Sequence, residues 1–348
     1  MGAKKINLEN FYNPSFYTEP VVIPNGLKNS EVIGFLKSML LIRIVELEIA
    51  QLVKEKRVNC PCHLAVGQEA IAVGISKNLN KADKVFGTHR SHAHYIALGG
   101  DVYALLAEIF GRITGCSGGM GGSMHLIAKE NGFWGSVPIV GGTIPLAAGA
   151  SLAAKLHKKN NIAVCFFGDG AVEEGVFHET MNLAAIQKLP VLFVCENNLY
   201  SSHLDIKQRQ PSEIVSRYAQ AHCIDYEIID GNDVMVVLDV TKKLVNKMKQ
   251  GKGPAFLEAV TYRWLGHVGA NEDIDVGVRR SKEDLNKWKK RDPIRRLVEA
   301  MFTRHLLDVH SYESLEQEIR SSVLSILHRA SVAPYPSLDK LFYNVYCE

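Results

Sequence analysis

Between Glu31 and about Lys56 apolar residues return at helical spacing (Ile33, Leu36, Leu40, Ile44, Leu47), which predicts one long amphipathic helix. The 30 residues before it have no period and read as an extended arm. A second helical run follows Gln68. Residues 85–101 read as a short strand and then a histidine-rich loop, and residues 115–123, GCSGGMGGS, hold too much glycine for a helix or strand interior. From Gly141 the pattern alternates. Helices at 145–157, 173–187, 213–221 and 234–249 separate short apolar strands at 162–167, 191–196, 226–229 and 255–261. Residues 266–281 are polar and loop-like, and helices follow at 282–305 and 311–330. Short apolar strands between helices predict an α/β fold, a doubly wound, mostly parallel sheet with helices on both faces and helical N- and C-terminal extensions. No repeat or linker divides the chain, so the expected organisation is an arm (1–30) and a single domain (31–348).

Composition narrows the classes. With 348 residues, 47 % apolar and 22 % charged, the chain can bury a sizeable core. A net charge of +3 gives no basic face of the kind that displaces counterions from nucleic acid, so no nucleic-acid partner is expected. The short runs Lys242-Lys243 and Arg279-Arg280 read as solvated helix faces or a partner contact. No apolar stretch reaches the roughly 18–20 residues of a membrane span. The first 20 residues lack a signal core, and Ile6 breaks the myristoylation pattern, so no membrane role is expected. Seven dispersed cysteines suit a reducing cytoplasm, the expected location. Cys60-Pro61-Cys62, with one residue between the cysteines, has the spacing of neither a zinc knuckle nor a thioredoxin-type site.

The candidate chemistry lies in FFGDGAVEEGVFHETMNLAAIQKLPVLFVCENN (166–198), where one apolar strand ends in Gly-Asp-Gly and the next in Asn-Asn. Ligands of doubly wound sheets sit at the carboxyl ends of strands. If these strands are neighbours, Asp169 and Asn198 face one crevice, with the N-terminus of the intervening helix turned towards it as a phosphate seat. One carboxylate and one amide oxygen are too few for caged calcium. They suit magnesium, which is completed by substrate phosphates. The pattern asks for a diphosphate carried on Mg²⁺.

GDG followed by NN at this spacing is the thiamine-diphosphate fingerprint, and the segment between resembles the alpha subunit of the thiamine-dependent first component of 2-oxo acid (pyruvate or branched-chain) and acetoin dehydrogenase complexes. The resemblance runs from about Glu31 to Leu297 and is most specific between residues 60 and 270. It implies that Asp169 and Asn198 ligate Mg²⁺ through side chains and Tyr200 through its main-chain carbonyl, with Gly168, Gly170 and Ala171 against the cofactor. CPCHLAVGQEA (60–70) resembles the segment whose histidine lines the active-site channel, here His63. GTHRSHAHYIALGGD (87–101) could, read alone, be an H-x-x-H-x-H metal site, but no carboxylate or thiolate stands nearby in sequence. The resemblance instead makes Arg90 the diphosphate clamp and sets His89 where pyruvate-type members often carry Tyr and acetoin-type members His.

FWGSVPIVGGTIPLAAGA (133–150) is similar to the loop and helix under the cofactor's middle, with main-chain groups near Pro138 and Val140 meeting its aminopyrimidine ring. GGMGGSMH (118–125) resembles a subunit-contact segment, and a Rossmann reading fails on spacing. TYRWLGHVGANEDIDVG (261–277) matches the loop in which His267 reaches the diphosphate or the reacting centre. Val268, Gly269 and Ala270 stand where mammalian-type members carry phosphorylated serines, so kinase control is not expected there, and the acidic stretch 271–275 departs from the pattern.

The resemblance also implies that the glutamate activating the cofactor comes from a separate beta subunit in an α₂β₂ assembly, followed by acyl transfer to a lipoyl acyltransferase. Two other readings stay open from sequence. One is a thiamine-dependent carboligase or transketolase-like half-enzyme that does not use lipoamide, and the other a non-catalytic interaction subunit. His89 leans towards acetoin-like or other small substrates.

Overall fold

Seven consecutive buried residues, VLFVCEN, form β4 (Val191–Asn197), and a strand buried on both faces belongs at the centre of a covered sheet. The computed structural model describes residues 7–272 and 280–342, with β4 in that position. Ile6, Arg279 and the far part of the acidic stretch 271–275 lie outside the described residues.

Chain order begins with α1 (Glu9–Tyr12), α2 (Asn29–Lys54), α3 (Glu69–Ser76), β1 (Lys84–Gly87), α4 (His92–Ala97), α5 (Val102–Ile109), β2 (Phe133–Ser136), α6 (Thr143–Leu156) and β3 (Ala163–Gly168). After α7 (Gly175–Ile186) and β4 come a hairpin of β5 (Tyr200–Ser201) and β6 (Leu204–Asp205), then α8 (Ile206–Arg209) and α9 (Arg217–Ala221). The last elements are β7 (Asp225–Asp230), α10 (Val234–Lys249), β8 (Ala255–Val260), α11 (Lys282–Lys289), α12 (Pro293–Thr303) and α13 (Val309–Ser331).

The six-stranded sheet has the order β2-β1-β3-β4-β8-β7, and every pairing is parallel. Side chains alternate between its two faces. Val164, Phe166, Leu192 and Val194 join one core with α2, α3 and α10. Cys165, Phe167, Phe193 and Cys195 join the other with α6 and α7. The α/β reading of the sequence, with its mostly parallel sheet and helical extensions, holds.

Local readings changed in five places. The histidine-rich segment is helical, because His92, His94 and Tyr95 of α4 are buried and its polar groups find partners far away in sequence. The segment after GDG opens with a 3₁₀ turn (Ala171–Glu173), and α7 starts only at Gly175. Only the end of the 213–221 helix forms, as α9. The predicted helix 282–305 is two, broken where Asp292 caps α12 by accepting from the Ile294 amide, with Pro293 at its first turn. The edge strand β2 and the β5–β6 hairpin were not anticipated, because both are too short to show a period.

GCSGGMGGS is a loop, and it closes around a carboxylate. Buried Glu108 at the end of α5 accepts from the amides of Ser117 (2.7 Å), Gly119 (2.9 Å), Gly121 (2.7 Å) and Gly122 (3.0 Å). Gly119 has φ +78°, and a Cβ there would meet the Arg112 carbonyl at 2.6 Å. The N-terminal arm is stitched to the C-terminal helices by arginines that donate to its carbonyls. Arg291 reaches Phe11 (2.8 Å), Arg295 reaches Thr18 (2.8 Å), Arg296 reaches Glu19 (2.8 Å) and Arg304 reaches Ile23 (2.6 Å).

Candidate active site

β3 and β4 are neighbours in register, Gly168 opposite Glu196, so Asp169 and Asn198 leave the sheet at the same edge. Leu199 takes a left-handed turn (φ 69°), and the Asn198 Oδ1 accepts from the Tyr200 amide at 3.2 Å. That turn lays Ser201 over Gly170. A Cβ on residue 170 would stand 2.2 Å from the Ser201 Oγ, so the close approach requires glycine. Between these segments lies a cleft of about 200 Å³.

All twelve residues singled out from sequence line this one cleft: His63, His89, Arg90, Pro138, Val140, Gly168, Asp169, Gly170, Ala171, Asn198, Tyr200 and His267. The structure adds Thr88, Met124, Gly141, Glu196, Ser201 and Ser202.

Part of the cleft's lining is built of hard oxygens. Asp169 is 1 % exposed, and burial raises its carboxyl while Arg209 draws it down. Arg209, at the end of α8, bridges Asp169 and Glu173. Gln210 donates to the Asp169 carbonyl (3.0 Å) and to Glu173 (2.8 Å). Sequence reading missed this clamp. Arg209 lies 40 residues from Asp169, and no local signal pairs them.

Another part of the lining is cationic. Buried Arg90 donates to the carbonyls of Leu64 (2.7 Å) and His267 (3.1 Å) and, among the described residues, pairs with no carboxylate. Burial and then Arg263 pull it down to about 9. Beside it His63, His89 and His267 form a triangle with ring centroids 4.6, 4.9 and 5.2 Å apart. Burial, then Arg90, holds His63 down to about 3 and His89 to about 2, so both are neutral at physiological pH. Among the described residues, the buried Nδ1 of His63 has no hydrogen-bond partner.

Nitrogen atoms of these three rings lie within 4.8 Å of one another, a grouping that could ligate a soft metal. The neighbouring guanidiniums oppose a dication and favour an anion. His92 and His94, the other members of H-x-x-H-x-H, point elsewhere. His92 pairs with Glu46 (2.9 Å) and Ser123 (2.8 Å), and His94 with Glu196 (3.1 Å). Carboxylates absent from the local sequence are thus supplied by the fold.

Hard oxygens and buried positive charge in one cleft suit a phosphorylated ligand carried on a hard divalent cation. Comparison with known proteins agrees with the geometry. Residues 36–339 match the family model described as "Dehydrogenase E1 component". The chain is 34 % identical over 345 residues to the alpha subunit (somatic form, mitochondrial) of the pyruvate dehydrogenase E1 component of Bos taurus, covering 99 % of this chain and 85 % of that one. It is 34 % identical over 325 residues to the alpha subunit of acetoin:2,6-dichlorophenolindophenol oxidoreductase of Bacillus subtilis (strain 168), covering 92 % and 95 %. The testis-specific human pyruvate dehydrogenase E1 alpha subunit is 36 % identical over 321 residues, covering 92 % and 81 %.

Proposed function

The chain belongs to the dehydrogenase E1 component family, and from that premise we propose that it is the alpha subunit of a thiamine-diphosphate-dependent 2-oxo acid or acetoin dehydrogenase. The observation that carries this reading is the convergence of Asp169, Asn198 and Tyr200 on the cleft that also receives Arg90 and three histidines. Asp169 and Asn198 would hold Mg²⁺ through side-chain oxygens and Tyr200 through its carbonyl. The Asp169 carboxylate and two neutral oxygens leave room for phosphate to complete the shell. Arg90 would clamp the diphosphate, because its forked donors match phosphate oxygens and its buried charge wants an anion. Gly168, Gly170 and Ala171 would bring backbone close to that group, and Pro138 and Val140 would border its middle.

Thiamine diphosphate, when bound, supplies the electron sink for cleaving a bond next to a carbonyl. His63, His89 and His267 act on the substrate side. Being neutral, His63 and His89 can each donate a hydrogen bond from one ring nitrogen and accept at the other, and His63 has an Nδ1 free to do so. They would orient a small 2-oxo substrate by hydrogen bonds during acyl transfer to a lipoyl partner.

A beta subunit is the second half of the proposal, as the names of the relatives describe alpha subunits. The activating glutamate would come from it in an α₂β₂ assembly. No nucleic-acid or membrane partner is proposed, and no helix among the described residues is long and apolar enough to cross a membrane. A cytoplasmic location is proposed from the cysteines, which are free at the six described positions. The test is turnover of pyruvate, branched-chain 2-oxo acids and acetoin with ferricyanide as acceptor. Activity is expected only when the chain is combined with its beta partner, Mg²⁺ and thiamine diphosphate. Turnover by the purified chain alone would end the split-site reading.

A further inference from the structure

Cys60 and Cys62 stand immediately before His63, and the function proposed above uses neither. Their sulfurs are 3.9 Å apart and hydrogen-bonded. Closing that gap to about 2.05 Å makes a disulfide. Cys62 is buried, while Cys60 is partly open to solvent. The two thiols differ in acidity. The hydrogen bond from Cys62 and, against burial, the Ser123 amide and His92 draw Cys60 down to about 6. The neighbouring Cys60 and burial push Cys62 up. Cys60 is thus the readier of the two to ionise and attack, and Cys62 stands within reach of its sulfur to resolve.

We propose that Cys60 and Cys62 form a reversible redox pair, oxidised by hydrogen peroxide, whose disulfide displaces His63 and shuts the cleft. The Cys60 thiolate attacks one peroxide oxygen and the O–O bond breaks. Cys60 becomes a sulfenic acid, and the departing hydroxide takes up the proton that the thiol had released, giving water. The Cys62 sulfur then attacks the Cys60 sulfur. The S–S bond forms, the S–O bond breaks, and the hydroxyl leaves with the Cys62 proton as a second water. The two sulfurs together lose two electrons, and the peroxide gains two. A ring closed over a single intervening residue is small and strained, so thiols reopen it readily.

The pair is coupled to the cleft through two contacts. His63 follows Cys62 directly, and the Cys62 carbonyl accepts from the Gly269 amide (2.9 Å) in the loop that carries His267. Pulling Cys62 towards Cys60 moves the histidine and its opposite wall together.

Peptide mapping tests the proposal on the full chain assembled with its beta partner. Cleavage after Arg57 and Lys77 isolates both cysteines in one peptide with no other cysteine. Peroxide should remove two hydrogens from that peptide, and dithiothreitol should restore them. Cys60 should react with iodoacetamide about tenfold faster than exposed Cys223. Cys62→Ser should accumulate a dimedone-reactive sulfenic acid at Cys60. Turnover should fall and recover with the peptide, and Cys60→Ser should keep its turnover through the same peroxide dose. An unchanged peptide after peroxide, or equal peroxide loss of activity in Cys60→Ser, overturns the proposal. The peptide readout does not depend on the thiamine reading. If the peptide switches but no 2-oxo substrate is ever turned over, the functional reading fails and the redox pair stands.

Discussion

Asp169 is the carboxylate of the GDG turn, and its surroundings explain why the sequence showed it while hiding its partner. The flanking glycines and the strand before it are local, so the pattern is readable at a glance. Arg209 reaches it only because the chain turns at Leu199 and folds back through the hairpin. Asp169→Asn keeps the shape and removes the charge. Magnesium-dependent binding of thiamine diphosphate to the α–β assembly, read by titration calorimetry, should weaken by about 100-fold or more. Binding within about threefold of the wild type would remove Asp169 from the metal seat.

The histidines make a prediction with a definite sign. Burial sets the folded-state value of His89 to about 2, against about 6.5 in the unfolded chain. Below pH 6.5 the unfolded chain takes up a proton that folded His89 refuses. Its stabilising contribution is complete above pH 6.5 and is lost as the pH falls from there towards the folded value. His92 works the other way. Burial would lower it, but Glu46 raises it, so its contribution is complete below pH 6.5 and is lost as the pH rises through the folded value. Urea unfolding at pH 7 and pH 5 should show His89→Asn losing less stability on acidification than the wild type, by on the order of 1 kcal/mol per pH unit. Equal losses would mean that His89 is not held neutral.

At the scale of elements, the central strands were legible because parallel strands covered on both faces are continuous apolar runs. The edge and the connections were not. β2 has an exposed Trp134 and only four residues, and α4 looks polar until the partners of its histidines are known. Buried carboxylates do much of the tying that no spacing reveals. Glu258 in β8 accepts from the Tyr12 hydroxyl (2.7 Å), the Asn197 amide group (2.8 Å) and the backbone of Ser216 (2.7 Å), joining arm, β4 and the approach to α9. Glu108 does the same for the glycine-rich loop. Glu108→Ala would leave four amides without their acceptor and should destabilise the protein by about 3 kcal/mol. Hydrogen exchange should quicken at residues 117–122 and stay slow in β3 and β4. Unchanged exchange in the loop would show that the carboxylate does not hold it.

Across the whole molecule, the sequence disclosed the cleft more fully than the scaffold around it. The cleft is assembled from strand ends and short motifs, each with its own local signature. The scaffold depends on arginines that meet carbonyls at the far end of the chain. Removing residues 1–19 deletes the Phe11, Thr18 and Glu19 carbonyls and the Tyr12 hydroxyl, and should lower the thermal midpoint by about 5 °C or more in calorimetry. An unchanged midpoint would show that the arm adds nothing. The stitching also puts a clock into the fold. Phe11 and Arg291 are separated by 280 residues. At about 5–20 residues per second of synthesis, the arm waits on the order of 15–60 s for its first arginine. During that interval the Phe11 carbonyl has no guanidinium to accept from, and the arm, not yet stitched to the C-terminal helices, is open to a chaperone or a protease.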